Sequence, residues 1–174
     1  MKLAQALYER DCPQAFYFGL DVHAEMIAEL QRLLAGDPRF GFAVVPFRNA
    51  MYNPRGEPMR PDSELPVPGG GYDLLTMFSV VTHMTPEDAF AVFSILRRHA
   101  ADQSRLVFSA FIDPDQAADW VDSEPGRPLL RAMFRKDFLE GIVARAGWRI
   151  ERYGRPIPGV IQHHFVCSPG DDAA

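Results

Sequence analysis

The sequence predicts an α/β protein with a mostly parallel sheet and helices on both of its faces. Short apolar segments alternate along the chain with segments in which apolar residues recur every three or four positions. The apolar segments are typical of buried strands, and the periodic segments are typical of amphipathic helices. Strands that alternate with helices form parallel sheets that the helices cover.

The composition is that of a globular protein. Hydrophobic residues make up 47% and charged residues 24% of the 174-residue chain, which excludes disordered, collagen-like and low-complexity classes. The length predicts a single domain over residues 1–174. Within it, prolines and glycines predict a long loop or insertion at 50–71, and the chain end predicts a frayed tail at 168–174.

Charge and cysteine content bear on partners and compartment. The net charge is −5, which gives no reason to expect nucleic acid or an anionic membrane as a partner. Apolar runs are too short to span a bilayer. Cys12 and Cys167 are far apart and outside any C-x-x-C spacing, so a disulfide framework and a zinc site are disfavoured. We expect a cytoplasmic protein.

The first half of the chain predicts four elements and a loop. Residues 3–10 and 24–34 have helical periodicity, and 15–20 and 40–47 are apolar strand candidates. Residues 48–71 are irregular, and a loop of this length in a compact protein is usually functional or mobile.

The second half begins with the strongest strand signal, at residues 72–81. A helix should follow, with Thr85 as its N-cap and Pro86 at its first position. Residues 105–112 predict another strand, and 113–128 predict a loop or short helix.

The last elements are a helix over 136–146, ended by Gly147, and strands over 148–153 and 160–167. The full order is α, β, α, β, loop, β, α, β, α, β, β. This order predicts a Rossmann-like sheet.

In such sheets the ligand crevice lies beyond the carboxyl ends of the strands. That rule selects four places as the rim of a site: Asp21, residues 47–49, residues 79–83 and Asp113. Phe47, with Tyr52 and Phe78, is an aromatic residue placed where a ring could stack on a flat ligand.

Asp21 directly follows an apolar strand and precedes a helix. A carboxylate there can accept two hydrogen bonds from the vicinal hydroxyls of a ribose. It can equally be a helix N-terminal carboxylate that the helix dipole favours. From the residues alone the two interpretations stand level.

His83 follows the central strand and can serve as a general base or a donor, because histidine is the side chain suited to proton transfer near neutral pH. Taken alone, it more often only completes the strand-to-helix turn. Ser79 and Thr82 can bind a ligand or satisfy the backbone of that turn.

Other chemistries find little support. His163 and His164 are neighbours on a predicted strand, so their side chains point to opposite faces and are badly placed to share a metal. No metal site is expected. The three glycines at 69–71 precede a strand, whereas phosphate-binding loops follow one. There is no G-x-S-x-G motif, which disfavours a hydrolase.

Several segments together resemble a known family. Residues 72–88 (YDLLTMFSVVTHMTPED) resemble the fourth strand and following turn of class I S-adenosylmethionine-dependent methyltransferases. Residues 97–111 are similar to that family's next helix and fifth strand, and 17–27 to its second strand, ribose-binding acid and next helix. Residues 49–56 resemble an insertion found in one branch.

The resemblance implies S-adenosylmethionine as the cofactor. Asp21 would hold the ribose hydroxyls and Val22 would pack on the adenine, whose edge would lie near Phe47 and Asn49. At the methionine end and the substrate mouth the resemblance places three residues, with His83 as the catalytic one: Phe78, Ser79 and His83.

One feature departs from the family. Its first strand and glycine-rich loop are missing, since no G-x-G-x-G occurs before Asp21. The resemblance therefore implies an N-terminally truncated class I methyltransferase fold. A late gene start, a truncated non-catalytic relative, or a strand supplied by another chain would each account for this.

Three functions follow as hypotheses. The first is methyl transfer to an unidentified, small-molecule acceptor, chosen by the loops 50–71 and 113–134. The second is a non-catalytic, methyltransferase-like binding subunit, completed by a partner chain or as a homo-oligomer. The third, another nucleotide-binding enzyme such as a dehydrogenase, also needs a glycine fingerprint.

Overall fold

The computed structural model describes residues 2–10, 15–50, 52–124, 126–156, 159 and 161–170. The chain comprises two compact units. The first consists of Met1–Pro58 with Leu65–Pro68, and the second of Met59–Glu64 with Gly69–Ala174. The single domain predicted over the whole chain stays a prediction, since two compact units can belong to one domain.

The first unit holds two helices and a two-stranded parallel sheet, as its alternating pattern predicts. The pairing runs in register from Tyr17 opposite Phe40 to Asp21 opposite Val44. In chain order the elements are α1 (Lys2–Glu9), β1 (Tyr17–Asp21), α2 (Ala24–Leu33) and β2 (Phe40–Val44).

A small core holds this unit together. Ile27 and Leu30, three residues apart on α2, are buried with Phe40 and Phe42 of β2. Gly19 of β1 lies opposite Phe42, and a Cβ on Gly19 would come within 2.7 Å of that ring. The glycine therefore makes room for the cross-strand ring.

The second unit carries a six-stranded sheet and two α-helices. A short 3₁₀ helix, Val81–His83, follows its first strand. The elements are β3 (Tyr72–Met77), α3 (Pro86–Arg98), β4 (Ala100–Ile112), β5 (Trp120–Asp122), β6 (Ala132–Phe134), α4 (Lys136–Arg145), β7 (Trp148–Gly154) and β8 (His163–Pro169).

The sheet is mixed rather than mostly parallel, which corrects the predicted sheet while keeping the α/β class. Its order is β5-β6-β4-β8-β7, with β3 also paired to β4. The pairings of β4 with β3 and β6 are parallel, whereas those of β8 with β4 and β7, and of β5 with β6, are antiparallel. No described helix separates β5 from β6 or β7 from β8, and a short connection permits only antiparallel neighbours.

Both helices of this unit pack on the same face of the sheet. Phe93 of α3, Leu139 of α4 and Phe108 of β4 belong to one buried hydrophobic cluster. Phe108 stacks on Phe165 of β8 with ring centroids 4.7 Å apart. The Trp148 indole donates to the Phe93 carbonyl oxygen at 2.9 Å, which satisfies its one polar atom in the core.

The predicted helix signals are confirmed. The Thr85 hydroxyl oxygen accepts from the Asp88 amide at 3.2 Å, with Pro86 at the first helical position. Gly147 follows α4 at φ +82°, a conformation that glycine adopts without strain.

Several predicted boundaries are wrong. The strand predicted at 40–47 ends at Val44, and the one at 72–81 ends at Met77. The segment 113–128 contains β5, and the tail predicted from 168 still belongs to β8 as far as Pro169. Val160, the predicted start of the last strand, lies outside the described residues.

Candidate functional site

The carboxyl end of β1 is organised by its own neighbours in sequence. Asp21 is the last residue of the strand, and its Oδ1 accepts from the His23 amide at 2.9 Å. His23 is the N-cap of α2, where its Nδ1 accepts from the Met26 amide at 3.3 Å. Among the described residues Asp21 Oδ2 has no hydrogen-bond partner. One carboxylate oxygen thus shapes the turn, and the other can accept from a ligand.

Residues 47–49 lie in the same unit and are held by hydrogen bonds to residues 52 and 53. The Phe47 carbonyl oxygen accepts from Asn53 Nδ2 at 3.0 Å, and Asn49 Oδ1 accepts from the Tyr52 amide at 3.0 Å. Phe47 is only 7% exposed. Its ring therefore belongs to the interior.

Tyr52 lies beside the Asp21 turn. Its ring centroid is 5.7 Å from that of His23, and the residue is 51% exposed. The structure thus brings a half-exposed aromatic ring next to the residues that follow Asp21, namely Val22 and His23. The sequence indicates Tyr52 but not His23, because Ser, Thr, Asp and Asn are the usual N-cap residues and histidine is not among them.

The carboxyl end of β3, in the second unit, is organised by distant residues instead. Ser79 has φ +57°, a left-handed conformation that costs a non-glycine residue of the order of 1 kcal/mol. Its amide donates to Ser109 Oγ at 3.0 Å. Ser109 is 1% exposed on β4, so this bond is well shielded from water.

Gln162 closes the network. Its Oε1 accepts from Ser109 Oγ at 2.5 Å, and its Nε2 donates to Ser79 Oγ at 2.9 Å. The Ser79 hydroxyl hydrogen then remains for Gln162 Oε1 at 3.2 Å or for a ligand. The sequence does not identify Ser109 or Gln162 as site residues, and its one signal is a serine within the apolar run 105–112.

Phe78 lies beside Ser79 and is 48% exposed. Its ring is half-exposed just after the carboxyl end of β3, and its expected place at the rim of a site stays a prediction.

His83 ends the 3₁₀ helix, and its Nδ1 lies 3.0 Å from the Leu129 carbonyl oxygen. The turn that carries it is rigidly buried, since Val81 and Thr82 are both 0% exposed. Thr82 Oγ1 has no hydrogen-bond partner within the described structure, so Thr82 points into the interior rather than toward a ligand.

The histidine pair is split between the two sheet faces, as predicted. His163 lies opposite Ala110 and His164 opposite Ser109 on β4. The Tyr153 hydroxyl is 2.5 Å from His163 Nδ1. Desolvation by burial lowers the pKa of His163, and the charges of Arg155 and His164 lower it further.

Over the described ranges, no three His, Cys, Asp or Glu side chains are grouped so as to hold a metal ion. Over the same ranges, no helix has the length and apolar character needed to cross a membrane.

Comparison with known proteins gives the fold its context. No family model matches the sequence. The structure is similar to a pericyclic reaction enzyme at a TM-score of 0.66 and 13% identity, with 97% of this chain and 40% of that chain covered. This chain spans 40–47% of the length of the first three solved chains it matches.

Two methyltransferases are also similar. Magnesium protoporphyrin IX methyltransferase (ChlM) from Synechocystis PCC 6803, with bound SAH, matches at a TM-score of 0.57 and 22% identity over 97% of this chain and 68% of that chain. The glycopeptide N-methyltransferase MtfA, complexed with S-adenosylmethionine, matches at a TM-score of 0.59 and 8% identity. The match covers 88% of this chain and 72% of that chain. The chain has the class I S-adenosylmethionine-dependent methyltransferase fold, which confirms the predicted fold class, while the N-terminal truncation stays a prediction.

Proposed function

We propose that this protein transfers a methyl group from S-adenosylmethionine to a small-molecule acceptor. The observation that carries the proposal is the Asp21 carboxylate at the end of β1, one oxygen of which holds the turn while the other has no partner in the described structure. The shared fold supports a nucleoside cofactor at such an acid.

The residues present fit the chemistry of this cofactor. Its ribose offers two hydroxyl donors, which a carboxylate oxygen accepts. Its adenine is flat, and the half-exposed Tyr52 ring beside His23 is suited to stack on such a surface. Val22 supplies an apolar contact next to both.

The methionine end needs polar partners, and we propose that groups at the carboxyl end of β3 supply them, as the family resemblance implies. Ser79 is held by Ser109 and Gln162 with a hydroxyl hydrogen to donate. The neighbouring Phe78 ring offers an apolar surface. We assign these groups to the methionine end of the cofactor and to the mouth of the substrate site.

The bound cofactor supplies an electrophilic methyl group for in-line displacement. The protein must align the acceptor with that methyl group, and alignment alone accounts for a large part of such rate accelerations. His83 is proposed to take the acceptor's proton, since a histidine has a pKa suited to a general base at neutral pH.

The acceptor should be chosen by the segments 50–71 and 113–134, because they extend from the carboxyl ends of strands. We place the reaction in the cytoplasm. Cys167 is a free thiol, and burial raises its pKa to about 12, so it is suited to a packing role rather than to redox chemistry.

Calorimetric titration of the 174-residue chain with S-adenosylmethionine and S-adenosylhomocysteine tests the proposal. We expect binding in the micromolar range, with similar affinities because the two ligands share the adenosyl part. A chain that is folded by circular dichroism and binds neither ligand would contradict the proposed function.

A further inference from the structure

We propose that Asp122 and the backbone of Leu129 fix the protonation pattern of His83, so that Nε2 is its basic atom and the acceptor carries a hydroxyl or amine proton. This inference rests on the proposed function for the role of His83. The assignment of the ring nitrogens rests on the structure alone.

One ring nitrogen of His83 is hydrogen-bonded to a backbone carbonyl oxygen. His83 Nδ1 faces the Leu129 carbonyl oxygen at 3.0 Å. A carbonyl oxygen only accepts, so Nδ1 must carry the hydrogen. A neutral imidazole has one N–H group, which leaves Nε2 with an unshared electron pair.

The carbonyl oxygen of Leu129 is held in place by the conformation and the hydrogen bond of its own residue. Leu129 has φ +59°, a conformation that a leucine adopts only where its surroundings impose it. The Leu129 amide donates to Asp122 Oδ2 at 2.9 Å. The two backbone groups of one residue thus connect Asp122 to His83.

The loop between them is closed by its own bonds. Asp122 Oδ1 accepts from the Glu124 amide at 3.4 Å. The Arg127 amide donates to the Glu124 carbonyl oxygen at 2.8 Å, and the Leu130 amide to the Arg127 carbonyl oxygen at 3.0 Å. Asp122 belongs to β5 and pairs with Ala132 of β6, so the loop is anchored to the sheet.

The protonation pattern of His83 bears on which acceptors it can bind. An unprotonated Nε2 can only accept, so it selects an acceptor that donates an O–H or N–H hydrogen bond over a carboxylate, which has no proton to give. In the proposed transfer the acceptor atom would bond to the methyl carbon as the carbon–sulfur bond breaks, the thioether would leave, and His83 Nε2 would take the acceptor proton. Asp122 and Leu129 act as positioning residues, because they reach the substrate only through His83.

Two-bond ¹⁵N–¹H correlation spectra of the histidine rings test the assignment without cofactor. The spectra are recorded at pH 8. His83→Gln identifies the His83 signals by their loss. We expect the Nδ1–H form in the native protein, and a mixture of both forms in Asp122→Ala and in Leu129→Val, where a β-branched residue resists positive φ.

Two variants serve as matched controls. Leu129→Gly keeps both backbone groups and adopts positive φ freely, and Ser123→Ala removes only the bond from Ser123 Oγ to the Arg131 carbonyl oxygen in the same loop. Both should retain the Nδ1–H form. The Nε2–H form in the native protein, or an unchanged spectrum in folded Asp122→Ala, would overturn the proposal.

The substrate inference has its own readout. If the native protein binds S-adenosylmethionine, an acceptor panel should show turnover of hydroxyl or amine compounds and none of matched carboxylates. Turnover confined to carboxylates would overturn the substrate class. Failure to bind the cofactor would contradict the proposed function while leaving the spectroscopic result valid.

Discussion

The carboxyl ends of β1 and β3 present polar groups in two different ways. At the end of β1, Asp21 is bonded to His23, two residues along the chain. At the end of β3, Ser79 is bonded to Ser109 and Gln162, 30 and 83 residues away. The first arrangement is local and unstrained, whereas the second holds a residue at φ +57°.

This difference indicates that the two strand ends depend on different parts of the chain for their stability. A local turn persists as long as its strand and helix do, so Asp21 should be insensitive to changes elsewhere. The position of Ser79 depends on β3, β4 and the start of β8 together. Strain of this kind persists only where surrounding bonds impose it, and such positions are enriched at functional sites.

Replacing Asp21 with alanine should give the largest effect. The variant loses both the turn and the proposed acceptor for two ribose hydroxyls, and hydrogen bonds to a charged group contribute about 1.5–3 kcal/mol each. Cofactor affinity should fall by about 100-fold or more, measured by calorimetry. Unchanged affinity would remove Asp21 from the site.

Asp37→Ala is the matched control in the same unit. Asp37 also accepts from the amide two residues on, that of Arg39, at 3.0 Å, but it has no proposed role in binding. Its loss should lower stability without changing affinity. Equal losses of affinity in both variants would mean that the Asp21 effect is structural.

Much of the local arrangement could be predicted from the sequence, because its causes lie within a few residues. Asp21 follows an apolar strand and precedes a helix, and Thr85 with Pro86 has the pattern of a helix start. The order of the main strands and helices was predictable for the same reason.

What could not be predicted depends on pairing across the chain. Nothing near Gln162 indicates that it meets Ser79, and no local pattern reveals that Ser109 faces both. The three-residue strands β5 and β6 exist only through their pairing with each other and with β4. The rule that ligands bind beyond the carboxyl ends of strands puts Phe47 at the rim of a site, yet packing buries its ring.

After Asp21→Ala, the next largest effect should come from His83→Ala, which lowers the turnover rate and lies on the β3 side. General base catalysis contributes roughly 100-fold or more when the acceptor is a weak acid. The loss in kcat should therefore depend on the acceptor, while cofactor affinity stays close to that of the native protein. Unaltered turnover with every acceptor would show that His83 only completes the turn.

Gln162→Ala tests the long-range network directly. The variant removes the acceptor of Ser109 Oγ and the donor to Ser79 Oγ. We expect about 10-fold weaker cofactor binding and a stability loss of about 1–2 kcal/mol. A variant with native affinity would show that Ser79 keeps its position without Gln162.

A smaller effect should separate strain from hydrogen bonding at Ser79. Ser79→Gly and Ser79→Ala both lack the hydroxyl, but only glycine adopts φ +57° without strain. The glycine variant should be more stable than the alanine variant by about 1 kcal/mol in denaturant unfolding. Equal stabilities would mean that the backbone at Ser79 relaxes at no cost.

The smallest expected effect is a pH dependence confined to the β8 side. His163 follows Gln162, and burial lowers its pKa in the folded protein. On acidification the unfolded chain therefore binds a proton first, so stability falls as the pH drops below about 6.5, the ordinary histidine pKa.

His163→Gln removes this titration but keeps a polar group beside Tyr153. Between pH 7.5 and 5.5 the native protein should lose more stability than this variant. Identical pH profiles for the two proteins would mean that His163 is as accessible to protons in the folded chain as in the unfolded one.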